Sequence, residues 1–228
     1  METLFNLLQL FDPTLPIGAY AHSAGLETYT QNGKVHNKRD ALVFIKQFLL
    51  QNFLYSDAAF FSFAWRFAQA KDWKAIPMLD QEITALKSSK ETREASQKLG
   101  SRLMRVAESW DFDFPFLNSY KKEIAEKVCL GQVAIVFGIL AQELKIPLLE
   151  ALKAYYYTTA SGMVTNCAKL IPIGQQEAQS ILFQLKNEIE ALAKKTLELE
   201  YDQIGRCAIG FEIRAMQHEK LYSRLYMS

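Results

Sequence analysis

Little in this sequence bends or breaks a chain. Ten glycines and six prolines in 228 residues fall well below the roughly 27 that average usage would supply, so long regular elements are expected. Cysteine is scarce as well: Cys129, Cys167 and Cys207 stand far apart with no CxxC or CxxH spacing. That excludes a disulfide framework or a zinc knuckle built from sequence neighbours, and each thiol reads as a small hydrophobe. No two of the three histidines, His22, His36 and His218, are four residues apart, so a two-histidine helical metal motif is absent. Gly-rich phosphate loops, GxSxG elbows and DDxxD carboxylate pairs are missing too. A catalytic reading has no motif to rest on, and we expect no catalytic residue, no cofactor and no metal site.

Charge of one sign is also lacking, with 26 Lys+Arg against 25 Asp+Glu and a net charge of +1. Gripping a phosphate backbone needs a concentrated basic surface, so nucleic acid is not an expected partner. The longest uncharged runs, Val128 to Gln142 and Ala154 to Ala168, have 15 residues each, short of the roughly 20 that span a bilayer. They read as helices buried in a protein core, and no membrane association is expected. The start, Met1-Glu2-Thr3-Leu4-Phe5, carries an acid where a secretory leader would be basic, which predicts a cytoplasmic protein.

What is present is helical periodicity. From Ala41 to Ala70 the polar positions Ser62, Arg66 and Gln69 fall in steps of four and three among Phe60, Phe61, Phe63, Trp65 and Phe67, a narrow polar stripe on a helix with neighbours on most sides. A turn is expected near Tyr55-Ser56-Asp57, with Asp57 as a cap. Gly131, Ala134, Gly138 and Ala141 share a small-residue stripe that predicts a central helix approached closely by another. From Gln175 to Glu200 an apolar seam, Ile181, Leu182, Leu185, Ile189 and Leu192, predicts one long amphipathic helix. Breaks are expected at Pro77, Pro115, Pro147 and Pro172. The reading is an all-α, single-domain helical bundle of about ten helices over 1–228, with residues 1–14 and 218–228 as ends that a partner would order.

Four stretches are oddly placed for a plain bundle. In Leu15-Pro16-Ile17-Gly18-Ala19-Tyr20-Ala21-His22-Ser23-Ala24-Gly25-Leu26-Glu27, a Pro/Gly breaker precedes a helix on which Tyr20, Ser23 and Glu27 share a stripe. That stripe is either a polar contact surface or a pair, Tyr20 and Glu27, satisfying one another over a close helix crossing. Gly25 inside a helix would cost about 0.8–1.0 kcal/mol relative to Ala, which a backbone contact would explain. The second stretch, Glu91 to Met104, aligns Arg93, Ser96 and Gly100, although its charges also suit a solvated face. The third, Thr165 to Gln175, joins two helices through Pro172 and Gly174. The fourth closes the chain: His218, Glu219, Leu221, Tyr222, Arg224, Leu225 and Tyr226 mix aromatic, aliphatic and arginine residues as an interface centre does, with Leu221/Leu225 and Tyr222/Tyr226 as i, i+4 pairs. A tail folded onto its own core is one reading. A tail that orders on a partner is the preferred one.

Together these stretches resemble the UreF family of urease accessory proteins. The resemblance runs through Leu15, Pro16, Gly18, Tyr20, Ser23, Gly25, Leu26 and Glu27; Arg93, Ser96 and Gly100; Pro172, Gly174, Gln175 and Gln179; and His218, Glu219, Tyr222, Ser223, Arg224 and Leu225. It covers almost the whole chain but leaves 72–90 and 108–127 without a match. It implies an all-α homodimer that binds a UreD/UreH-type accessory protein, recruits the GTPase UreG and engages apo-urease, a chaperone of nickel insertion that performs no reaction itself. It also implies that the C-terminal tail and N-terminal helix order on the UreD-type partner and that Arg224 helps recruit UreG. Two other readings compete: a regulator inserting Arg224 or Arg93 into the GTPase site as an arginine finger, and an apolar-ligand protein using Phe60, Phe63, Trp65 and Phe67.

Overall fold

The computed structural model describes residues 2–206 and 208–227, the side chain of Tyr20 excepted; Cys207 therefore lies outside the described residues. Among them are twelve α-helices and no strand. In chain order they are α1 (Glu2–Leu10), α2 (Leu26–Gln31), α3 (Lys38–Phe48), α4 (Asp57–Ala70), α5 (Ala75–Leu86) and α6 (Lys90–Glu108), then α7 (Pro115–Ala125), α8 (Val133–Glu143), α9 (Leu148–Leu170), α10 (Gln175–Gln184), α11 (Lys186–Leu197) and α12 (Ile209–His218).

The boundaries follow local chemistry. Asn37 starts α3 by accepting from the Asp40 N–H at 3.0 Å, an ordinary N-cap. Pro115 opens α7 at a position where its missing N–H costs nothing, and Glu143 accepts from the next two amides, Phe116 N at 2.7 Å and Leu117 N at 3.1 Å. The expected turn before α4 is present, but Asp57 does not cap it. Its carboxylate takes the Lys87 ammonium at 2.9 Å instead, because Lys87 is held in the interior beside it.

The centre is α8, whose residues from Val133 to Ala141 are all buried. Its valine, isoleucine, leucine and phenylalanine side chains each contribute about 1.5–3 kcal/mol on leaving water. Its small-residue stripe lets α4 approach so closely that a Cβ on Gly138 would stand 2.5 Å from the Phe61 carbonyl oxygen. On another side α6 presses in: Ser96 accepts from Val133 N at 3.3 Å, and a Cβ on Gly100 would lie 2.0 Å from the Gly131 carbonyl oxygen. The Arg93/Ser96/Gly100 stripe thus faces the body, with Arg93 donating to the Lys87 carbonyl at 2.7 Å. The start of α8 is fixed by Asp80, fully buried. It accepts from Leu130, Gly131 and Gln132 N–H groups at 2.7, 3.1 and 3.2 Å and from the Tyr120 hydroxyl, so its charge is satisfied by a nest of amides.

A second expectation fails in detail. The predicted single helix from Gln175 to Glu200 is two, broken at Leu185. The Leu185 amide is shared between the Ile181 and Leu182 carbonyls, both at 3.2 Å, and the seam residues on either side of this tightened turn, Ile181 and Leu182 before it and Ile189 and Leu192 after it, are buried. Of the aromatic residues on α4, Phe60 and Phe63 are buried in the core, and Trp65 and Phe67 are partly buried against it. Phe63 and Phe67 lie against Tyr201, and Trp65 donates to the Ile146 carbonyl at 3.0 Å. No helix among the described residues is long and apolar enough to cross a membrane.

Candidate functional site

The N-terminal and C-terminal motifs, nearly two hundred positions apart in sequence, meet on the body. Two left-handed glycines shape the first of them. Gly18 (φ +82) turns the chain beside Arg102, which donates to the Ile17 carbonyl at 3.1 Å. Gly25 (φ +81) stands immediately before α2, a conformation that costs glycine nothing. The expected continuous helix from Tyr20 to Glu27 is therefore absent: Ala19–Ala21 form one 3₁₀ turn and α2 starts only at Leu26. Tyr20, Ser23 and Glu27 share no stripe. The side chain of Tyr20 lies outside the described part, and Ser23 is buried with its hydroxyl unpartnered. The expected backbone contact at Gly25 is real. A Cβ there would lie 3.2 Å from the Ala215 amide nitrogen of α12, and Thr28 donates to the Arg214 carbonyl at 3.0 Å beside it.

This crossing delivers His218, the last residue of α12, into the interior, where it is 0% exposed. Its Nε2 lies 3.0 Å from Glu27 Oε2 and its Nδ1 2.6 Å from Glu91 Oε2. A carboxylate only accepts, so a ring nitrogen that meets an ionised glutamate does so as the donor. The Arg224 guanidinium donates to Glu91 Oε1 at 2.6 Å, and the Leu225 and Tyr226 amides donate to Glu27 at 2.7 and 3.1 Å. The two acids share one imidazole between them, Glu91 is met in addition by a guanidinium and Glu27 by the tail backbone, so the buried polar groups of this clasp are hydrogen-bonded. Gln31 donates to the Ser223 carbonyl at 2.8 Å, and the Met227 amide to the Ala21 carbonyl at 2.9 Å.

The clasp decides the shape of the tail. Helix α12 stops at His218, and residues from Leu221 onward are irregular, so the expected i, i+4 pairs Leu221/Leu225 and Tyr222/Tyr226 do not form. Amides that would have continued the helix donate to Glu27 instead. Tyr226 turns inward and is 6% exposed, whereas Tyr222 is fully exposed and Leu225 is 64% exposed. Leu221 is half-buried and Glu219 is exposed at the helix end. Arg224 keeps about two fifths of its side chain in solvent. At the other end of the chain, α1 buries Leu10 and leaves Leu4, Phe5 and Leu8 exposed.

Glu91 is the site residue that sequence reasoning passed over. It sits in the first turn of a charged helix, reads as solvated, and has no spacing relation to His218 that could reveal it. Nearby, His22 accepts through its carbonyl from Asn166 at 2.8 Å. Burial, and then the charges of Arg102 and Lys98, hold its imidazole below the ordinary value. Chemically the arrangement is a fastener. Both nitrogens of His218 are occupied and sealed from solvent, which leaves it no free site for proton transfer, and the described residues contain no group of three His, Cys, Asp or Glu that could hold a metal ion.

Comparison with known proteins adds the relationship. A family model described as UreF matches residues 35–186, a span that holds the helical body and leaves the clasp outside except for Glu91. Over the full chain, the sequence is 41% identical to the urease accessory protein UreF of Actinobacillus pleuropneumoniae serotype 5b (strain L20), covering 100% of both. It is 39% identical to that of Haemophilus influenzae (strain PittGG), covering 100% of this chain and 97% of the relative. It is 31% identical to that of Corynebacterium efficiens, with 100% and 98% covered.

Proposed function

Because this chain belongs to the UreF family of urease accessory proteins, and so is a non-catalytic accessory of urease maturation, we propose that it works as a binding subunit through its clasped C-terminal tail. In this reading the outward side chains of Tyr222 and Leu225 contact a UreD/UreH-type accessory protein, and Arg224 helps recruit the GTPase UreG. The assembly then supports GTP-dependent construction of the nickel centre in apo-urease. The protein acts as a homodimer in the cytoplasm.

The observation that carries the reading is the division of labour in the tail. Its backbone and Tyr226 hold it to the body, while Tyr222, Leu225 and part of Arg224 are left at the surface. Exposed aromatic and aliphatic groups around an arginine are the composition of an interface hot spot. A partner would meet a tail already aimed, which lowers the ordering cost of association.

Arg224→Ala tests the arrangement. It should leave the fold and the UreD-type contact largely intact and weaken UreG recruitment by about 2 kcal/mol, a hot-spot magnitude. Unchanged UreG capture would refute the assignment. Deleting residues 220–228 should also weaken co-elution with the UreD-type protein. Single-turnover GTP hydrolysis by UreG separates recruitment from an arginine-finger role: a recruiter leaves the chemical step nearly unaltered, whereas a finger accelerates it by about 10³-fold or more.

A further inference from the structure

We propose that the groove between α3 and α12 is a second docking surface, separate from the tail, that takes an acidic amphipathic segment of a partner protein. Its floor is an aromatic cluster drawn from three helices: Tyr29, Phe44 and Phe211, with ring centroids 5.0, 5.5 and 5.7 Å apart. On that floor stand two aliphatic walls left in water, Val43 at 52% and Ile213 at 45% exposure. Ile209 and Met216 lie on the same face of α12 as Ile213 and are 69% and 42% exposed, so the apolar surface extends along the helix.

The rim supplies the sign of the partner. Lys34, Arg39 and Arg214 border the groove against a single acid, Asp40. Asp40 is already engaged by His36, through Nδ1 at 3.0 Å and the amide at 3.3 Å. Among the described residues, Lys34 and Arg39 have no ion pair, and Arg214 only reaches Gln217 and lies 5.8 Å from the Tyr29 ring centroid. A chain with a net charge of +1 thus concentrates three cations around one apolar slot. An inorganic anion or nucleic-acid backbone would neutralise the rim but leave Val43 and Ile213 wet. A basic or neutral segment would cover the walls but leave the rim unbalanced. Carboxylates flanking an apolar anchor satisfy both, which is electrostatic complementarity around a hydrophobic centre. A helix laid in the groove would supply such anchors at i, i+3 or i+4 spacing.

The test uses the full chain and two synthetic amphipathic peptides of equal hydrophobicity, one of Leu and Glu, the other of Leu and Lys. Fluorescence anisotropy should show binding of the Glu peptide, weakening as salt is raised, and amide exchange should slow in α3 and α12. Lys34→Glu with Arg39→Glu should lower the affinity about tenfold, as charge reversal at a complementary rim does. Val43→Asp, at an exposed position that the fold does not need, should do the same, and circular-dichroism melts should stay unchanged. Equal binding of the Lys peptide, absence of binding by both, indifference to the charge reversal, or protection mapping elsewhere would overturn the proposal. So would sizing data in which Val43→Asp converts a dimer to a monomer that the Glu peptide cannot produce, since the groove would then belong to a second copy of this chain.

Discussion

Nε2 of His218 lies 3.0 Å from Oε2 of Glu27 across 191 positions of sequence, and neither side chain is more than 4% exposed. The pair joins the first structured motif of the chain to its last. Because both groups are out of water, the bond matters less for what it adds than for what its loss would leave behind: two acids, Glu27 and Glu91, without the hydrogen-bond partner they share.

His218→Ala should therefore cost about 3 kcal/mol, the scale on which breaking a buried pair is felt, measured by urea unfolding. In amide exchange, Leu225, Tyr226 and Met227 should lose protection while α8 keeps its own. A variant with wild-type stability and a protected tail would show that the clasp holds nothing.

The acid limb of stability should carry the mark of His22. Its imidazole is held below the ordinary 6.5, first by burial and then by Arg102 and Lys98, so the folded chain binds that proton less readily than the unfolded one. The contribution is whole above 6.5 and is lost as pH falls through the lowered folded value. Urea midpoints should drop on acidification from neutral pH, and His22→Gln should flatten the decline. An identical decline in the variant would assign it to other groups.

Two helical glycines should respond in opposite directions. Gly100→Ala places a methyl 2.0 Å from the Gly131 carbonyl oxygen. The obstacle is backbone, so α6 must move off α8 at a cost of about 3 kcal/mol. Gly162 in α9 has nothing within 4 Å of an added Cβ, and Gly162→Ala should stabilise by about 0.8 kcal/mol from helix propensity. Thermal melts of the two variants decide the matter, and a neutral Gly100→Ala would contradict the close crossing.

Cys129 and Cys167 are buried, with their thiols pushed up to about 12, chiefly by burial. Only the thiolate reacts, so iodoacetamide near pH 8 should leave both unmodified in the folded protein and alkylate both in denaturant. Peptide mass mapping reads this directly, and rapid native alkylation of either would place it at the surface.

Where the signal was periodic, the sequence was sufficient. The stripe Ala134, Gly138, Ala141 announced a central helix, and α8 is that helix because small residues on one face and aliphatic residues around the rest leave it no stable place except the interior. The family relation was legible differently, as a resemblance carried by motif residues such as Gly18, Gly25, His218 and Arg224, all outside the 35–186 span that the family model matches. What failed was continuity. Tyr20 to Glu27 read as one helix because local spacing cannot report that Gly25 adopts φ +81 to admit the Ala215 backbone. The tail read as helical because spacing cannot report a carboxylate waiting on another element.

Composition and periodicity thus determined that the chain is all-α and where its most strongly patterned helices run, α4 and α8 among them, since these depend on residues a few positions apart. Tertiary structure alone decided that Glu91, seemingly a solvated charge, would share His218 with Glu27, and that Tyr226 would turn in while Tyr222 faced out. Such choices depend on which distant group can pair a charge once water is excluded, and that is a property of the packed chain rather than of any local stretch of sequence.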